Sequence, residues 1–195
     1  MAYTTWSDVK AYLGTTATTQ SSDYSLISDL RIRAQKVIDI YTGREFDGSA
    51  TTRYFTVGED TDGRELYLDK DLCKITKIKS NCDGTTVTIN STEYITLPRN
   101  ETPYYMIRLL SSTTNSWDYT DDPENGIQIK GSWYYSTSIP EDIQQAAVRL
   151  TAYYYRQKDA NVFDVTAIPE AGVIEIPQGI PRDVKMILDP YRKII

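Results

Sequence analysis

The chain has 195 residues, 40% hydrophobic and 25% charged, and its 21 Lys and Arg against 27 Asp and Glu give a net charge of -6. At this length about 70% of the unfolded surface can be buried, so a folded core is expected rather than a disordered chain, and the acidic excess argues against general affinity for nucleic-acid phosphates. Histidine is absent, which removes the commonest general base and metal ligand together, and no apolar run approaches the ~18 residues of a membrane span.

The opening "MAYTTWSDVKAYLG" has neither a basic nor an apolar leader region, so synthesis in the cytoplasm is expected. Thr5, three residues before Asp8, starts a short helix that places Trp6, Val9 and Leu13 on one face and stops at Gly14. After the polar linker "TTATTQSSD", the spacing of Ile27, Leu30, Ala34, Val37, Ile38 and Tyr41 predicts a long amphipathic helix ended by Gly43. Arg31, Arg33 and Lys36 fall on its polar side and are expected to be solvated.

From Thr51 to about Trp133 the period becomes alternating. "TTRYFTV", "RELYLD", "KITKIK", "TTVTIN", "EYITL", "YYMIRLL" and "GIQIKGSW" are rich in Tyr, Ile, Val and Thr and predict short strands. "GEDTDG" and "NCDG" suit hairpin turns, and "SSTTNSWDYTDDPENG" suits an exposed loop with Trp117 and Tyr119 as its apolar content. A helix resumes near Ser138, with Pro140, Glu141 and Asp142 in its first turn and Ile143, Ala147, Leu150 and Tyr154 as its buried stripe. "DANVFDVTAIPEAGVIEIPQG" is an extended connection too long to be idle. A last helix begins near Pro181, buries Val184, Ile187 and Leu188, and ends or kinks at Pro190.

Catalytic signatures are missing from this pattern. The stretch "GEDTDGRE" departs from a calcium loop in its Gly spacing and lacks the terminal Glu, so a turn is expected. Asp118, Asp121, Asp122 and Glu124 are expected to form a solvated loop rather than a cation or glycosidase site. Cys73 and Cys82 read as free thiols, and Lys74, Lys77 and Lys79 as a solvated strand face. No catalytic residue, cofactor or metal is assigned, and an enzyme is not expected. The unusual quantity is tyrosine, 16 in all, a residue favoured where one side is apolar and the other wet. Tyr153 and Tyr155 project about 100° to either side of Tyr154, so one helix face cannot bury all three.

An aromatic helix after "W…P-x-x-I-x-x-A", the upstream "IDIYTGREF" and the closing "IPRDVKMILDPYRK" together resemble the head-tail connector proteins of tailed bacteriophages, also called adaptor or head-completion proteins. The resemblance covers nearly the whole chain. It implies a structural virion protein, made in the host cytoplasm, that forms a ring of about a dozen copies beneath the portal protein. Such a ring binds the next connector or tail-completion protein, and DNA passes through its channel without sequence-specific binding. No membrane partner is implied.

The expected fold class is α+β: a helical connector domain, 1-50 and 134-195, of about four helices, with an inserted β-rich sandwich or barrel-like module, 51-133. Tyr191, Arg192, Lys193, Ile194 and Ile195 are expected to contact the portal, because Pro190 turns the chain away from the last helix. Tyr153, Tyr155, Val162, Phe163, Val165, Val173, Ile174 and Ile176 are expected to meet a neighbouring subunit. The rival reading is a carbohydrate- or ligand-binding β module that uses exposed Trp117, Trp133 and tyrosines as stacking platforms.

Overall fold

A computed structural model describes residues 3–16, 18–19, 21–160, 166–168, 172–174 and 179–193. The fold is α+β and divides into two compact units, Met1–Arg44 with Ile139–Ile195, and Glu45–Ser138.

In the first unit, α1 (Trp6–Leu13) begins at the capping box foreseen: the Thr5 hydroxyl accepts from the Asp8 N–H, and the Asp8 carboxylate accepts from the Thr5 N–H at 2.9 Å. Gly14 ends it at φ 66°, a conformation that costs a residue with a Cβ. The long helix α2 (Ser22–Thr42) ends in the same way at Gly43. Next comes α3 (Glu141–Ala160), which packs against α1, α2 and α4 (Arg182–Leu188). Its Ala146, Ala147 and Ala152 let the neighbouring helices approach, while Ile143 and Leu150 fill the space between them. The partners contribute Val9, Ile27, Ala34, Ile38, Val184 and Leu188, all buried. The buried hydroxyls of Thr42 and Thr151 donate to the carbonyls of Ile38 and Ala147 at 2.8 and 2.7 Å, so neither is orphaned. Thr166–Ile168 and Gly172–Ile174 pair antiparallel with each other.

The second unit holds strands β1 (Ala50–Phe55), β2 (Thr61–Asp62), β3 (Glu65–Leu72), β4 (Lys74–Ser80), β5 (Val87–Ile89), β6 (Tyr94–Leu97), β7 (Tyr104–Leu109) and β8 (Ile127–Ser132). They form two antiparallel sheets, ordered β1-β8-β4-β5 and β2-β3-β7-β6. Neither closes into a barrel. Period-2 alternation sends Phe55, Ile78, Ile89, Ile127 and Ile129 of the first sheet and Leu66, Leu68, Leu72, Ile107 and Leu109 of the second into one shared core, as in a sandwich.

Gly131 sits where a Cβ would lie 2.5 Å from the Lys74 carbonyl oxygen and 2.7 Å from Leu72 Cδ1, so the crossing of β8 and β4 has no room for a side chain. The one strand that alternation does not reveal is β2. Its two residues lie inside "GEDTDG", where Gly63 at φ 55° turns Asp62 back to face Glu65.

The tryptophans correct the expectation of an exposed aromatic surface. Trp117 and Trp133 are 6% and 5% exposed, and their Nε1–H groups donate to the carbonyls of Arg64 at 3.0 Å and Thr51 at 3.1 Å. Each indole spends its polar atom on the sandwich backbone, so neither ring is a stacking platform.

Candidate assembly interfaces

The carboxy-terminal segment does not leave the last helix as a free tail. Beyond α4 the chain makes a 3-10 turn, Asp189–Tyr191, with Pro190 inside it. Its backbone is then fastened to the end of α2: Arg44 Nε donates to the Tyr191 carbonyl at 2.8 Å, and the Lys193 N–H donates to the Thr42 carbonyl at 2.7 Å. The Thr42 carbonyl is one of the groups that α2's C-terminus leaves unsatisfied by helix bonding. The Tyr191 hydroxyl donates to Asp142 at 3.2 Å, and the half-buried ring is therefore held rather than displayed. Arg192 is exposed and places its guanidinium 5.3 Å from the centre of the Tyr41 ring. The Tyr41 hydroxyl in turn donates to Asp189 at 2.5 Å, which raises the Tyr41 pKa because ionising the phenol would set two anions together. Ile194 and Ile195 lie outside the described residues.

Tyrosines 153 to 155 diverge as helical geometry requires. Tyr154 is half-buried beneath the Arg33 guanidinium, 4.9 Å from its ring centre. Tyr155 carries Lys158 Nζ over its ring at 4.2 Å, and that ammonium bridges to Asp23 on α2 at 2.9 Å, so the Lys158 pKa is raised by Asp23 first and Tyr155 second. The Tyr153 ring lies tilted by 51° to that of Tyr154, centres 5.8 Å apart, and lines a shallow groove of about 160 Å³ with Tyr12, Arg149, Arg156 and Val184. In that groove Arg149 Nη1 donates to Asp183 at 2.7 Å, while its buried Nε has no hydrogen-bond partner among the described residues. Val173 and Ile174 lie on the short paired strand Gly172–Ile174, whereas Val162, Phe163, Val165 and Ile176 fall outside the described residues.

The basic side of α2 is not simply solvated. Arg31 turns back so that Nε, at 2.9 Å, and Nη2 both donate to the Thr4 carbonyl ahead of α1, and Arg33 covers Tyr154. Burial is the main cause lowering the Arg31 pKa. The Thr4 carbonyl, 27 residues earlier, takes Arg31, which spacing alone assigned to water, while Arg33 and Lys36 stay exposed as expected.

Beside its polar residues α2 also exposes apolar ones: Ile32 is 64% and Ile40 73% accessible, and on α4 Met186 is 69% accessible. The signal for the first two was present, since neither belongs to the stripe of Ile27, Ala34 and Ile38.

In the sandwich, the acidic loop is organised by an anion supplied by the chain itself. The Asp83 carboxylate accepts from the N–H groups of Asp122 at 2.7 Å, Asp121 at 2.6 Å and Thr120 at 3.0 Å. These bonds hold the Asp83 carboxyl at about 2, well below its usual range. Among the described residues no group of three or more His, Cys, Asp or Glu is placed to hold a metal ion, and Cys73 and Cys82 are free thiols.

Three comparisons bear on these surfaces. The family model described as head completion protein matches residues 2–194. Among solved structures, a chain from the neck of an empty gene transfer agent particle, computed with C6 symmetry, superimposes with a TM-score of 0.61 at 17% identity, covering 97% of this chain and 89% of that one. A chain from the virion of a native gene transfer agent particle does so with a TM-score of 0.56 at the same identity and coverages. No curated protein matches the chain.

Proposed function

The chain belongs to the head completion protein family and is a structural head-tail connector, and from that premise we propose that it forms a cyclic ring beneath the portal, joining the filled head to the tail. The family match, which runs through both units of the chain, is the observation that carries this reading. The ring holds about a dozen copies, and closure by heterologous contacts requires two unlike faces on each subunit. Its lumen continues the DNA channel, and the next connector or tail-completion protein docks on its far side. A place in the virion is supported by the likeness to the two gene transfer agent structures, one of a particle's neck and one of a virion. The work of such a subunit is assembly, not catalysis.

Within the ring, residues 1–50 and 134–195 act as the helical connector domain and residues 51–133 as an inserted module. Arg192 and Lys193, with Ile194 and Ile195, meet the portal, while Tyr191 holds the segment in position for them. Tyr153, Tyr155, Val162, Phe163, Val165, Val173, Ile174 and Ile176 meet the neighbouring subunit. The test is complementation: heads assembled without this protein and then supplied with it should recover tail joining and retained DNA, scored by electron microscopy and nuclease protection. Full tail joining in its absence would refute the proposal.

A further inference from the structure

We propose that the outer face of sheet β1-β8-β4-β5 receives the acidic loop of a second copy of this chain; the inference rests on the ring reading and names one of its contacts. The face consists of the positions that alternate with the buried Phe55, Ile78, Ile127 and Ile129: Tyr54, Gln128, Lys130, Lys77, Lys79 and Thr88. All three charges are positive, and no carboxylate occupies a register position on it. Lys77 stands directly opposite Lys130 across the ladder, an arrangement that is destabilising unless something negative covers it. None of the three lysines makes an ion pair among the described residues.

The segregation runs against the local composition. Residues 45–138 contain 15 acidic and 9 basic side chains and so carry the whole net charge of -6, whereas the rest of the chain has 12 of each. The complement of the lysine face is in the same unit. Between Arg108 and Lys130 there is no base, and Asp118, Asp121, Asp122 and Glu124 all lie in that interval. Its backbone is already fixed by the three N–H bonds to Asp83, by Val57 N–H to the Pro123 carbonyl at 3.0 Å, and by Cys82 N–H to the Gly126 carbonyl at 3.1 Å. A preformed loop loses little entropy on docking.

Every copy thus brings both a basic face and a rigid acidic loop, the pairing that a head-to-tail contact needs.

The experiment uses the full chain and charge reversal. K77E/K130E and, separately, D121K/E124K should each weaken association at least about tenfold, measured by sedimentation of the protein alone and on portal-bearing heads. Both variants should keep the wild-type circular dichroism spectrum, since all four residues are surface groups. Combining the four substitutions in one chain, or mixing the two variants, should restore association to within about threefold. Wild-type association should fall as salt rises from about 0.05 to about 0.5 M.

Variants that assemble like wild type would overturn this contact and leave the ring intact, and so would losses that the combination does not rescue. If K77E/K130E lost affinity for a DNA duplex while assembling normally, the face would belong to nucleic acid and the proposal would fall. A wild-type chain that fails to associate even on portal-bearing heads would sink the ring reading, and this inference with it.

Discussion

The sandwich and the helical unit settle their apolar surface in different ways. In the sandwich two sheets close over a core that takes in Trp117 and Trp133 with both indole N–H groups satisfied. Its exposed positions are mainly polar, charged or tyrosine, Tyr54, Tyr67 and Tyr105 among them. The helical unit shares a smaller core around α3, is electrically balanced, and leaves Ile32, Ile40 and Met186 largely in water. The two units thus offer different surfaces, with aliphatic groups on the helices and mainly polar, charged or tyrosyl ones on the sandwich.

The contrast breaks most readily at the sandwich core. Ile129→Ala or Leu66→Ala, both at fully buried sites, should cost about 2–5 kcal/mol. The near-ultraviolet signal of Trp117 and Trp133 should melt earlier, while helix ellipticity at the original transition is retained. Simultaneous loss of both signals would show that the two units stand or fall together.

A smaller effect, about 1–3 kcal/mol, is expected from Ala147→Leu, because α3 is closely approached there and overpacking strains the contact. Helix ellipticity should report this change, and the tryptophan signal should not. Removing residues 190–195 should lower the melting temperature of the helical transition by an amount equivalent to about 1–2 kcal/mol, since it deletes the acceptor for Arg44 and the donor to Thr42. An unchanged melting temperature would mean that the fastening is not made in solution.

Smaller still is the response at Asp83, whose carboxyl is held at about 2, below the ordinary 3.8. A depressed carboxylate contributes stability that is complete above its unfolded value and lost as pH falls through the folded one. The loop should therefore be held above about pH 4 and released toward pH 2. Asp83→Asn should loosen it at neutral pH, seen as faster amide exchange at Thr120, Asp121 and Asp122; exchange unchanged in that variant would dismiss the bracket. Least of all in stability terms, Ile40→Ser should move melting by less than about 0.5 kcal/mol and still reduce association. If it leaves association unchanged, the exposed α2 face is not an interface.

Local chemistry was legible in the sequence. The Thr5 box, the stops at Gly14 and Gly43 and the alternation of "GIQIKGSW" are decided by residues a few positions apart, and the structure repeats them. What could not be read depends on distant partners. Trp117 lies in a polar stretch, yet its N–H meets Arg64, and Arg31 is drawn to a carbonyl 27 residues earlier. The turn away from the helices expected after Pro190 is not made through Lys193 for the same reason, because the Thr42 carbonyl at the end of α2 sits within its reach. Of the residues proposed for interfaces, Tyr153 and Tyr155 were visible as an excess on one helix, whereas the lysine face required strand register. Lys77 and Lys130 are far apart in sequence and become opposite only when β4 pairs with β8.

The backbone joint at the base of the sandwich has a meaning for descent. The Tyr135 N–H donates to the Glu45 carbonyl at 2.8 Å, so the chain entering the β unit and the chain leaving it are bonded side by side. A segment whose two ends already meet can be gained or lost by a single recombination event without rerouting the chain on either side. Exchange of such a segment would leave the two ends of the flanking chain where they are, at the Glu45–Tyr135 bond.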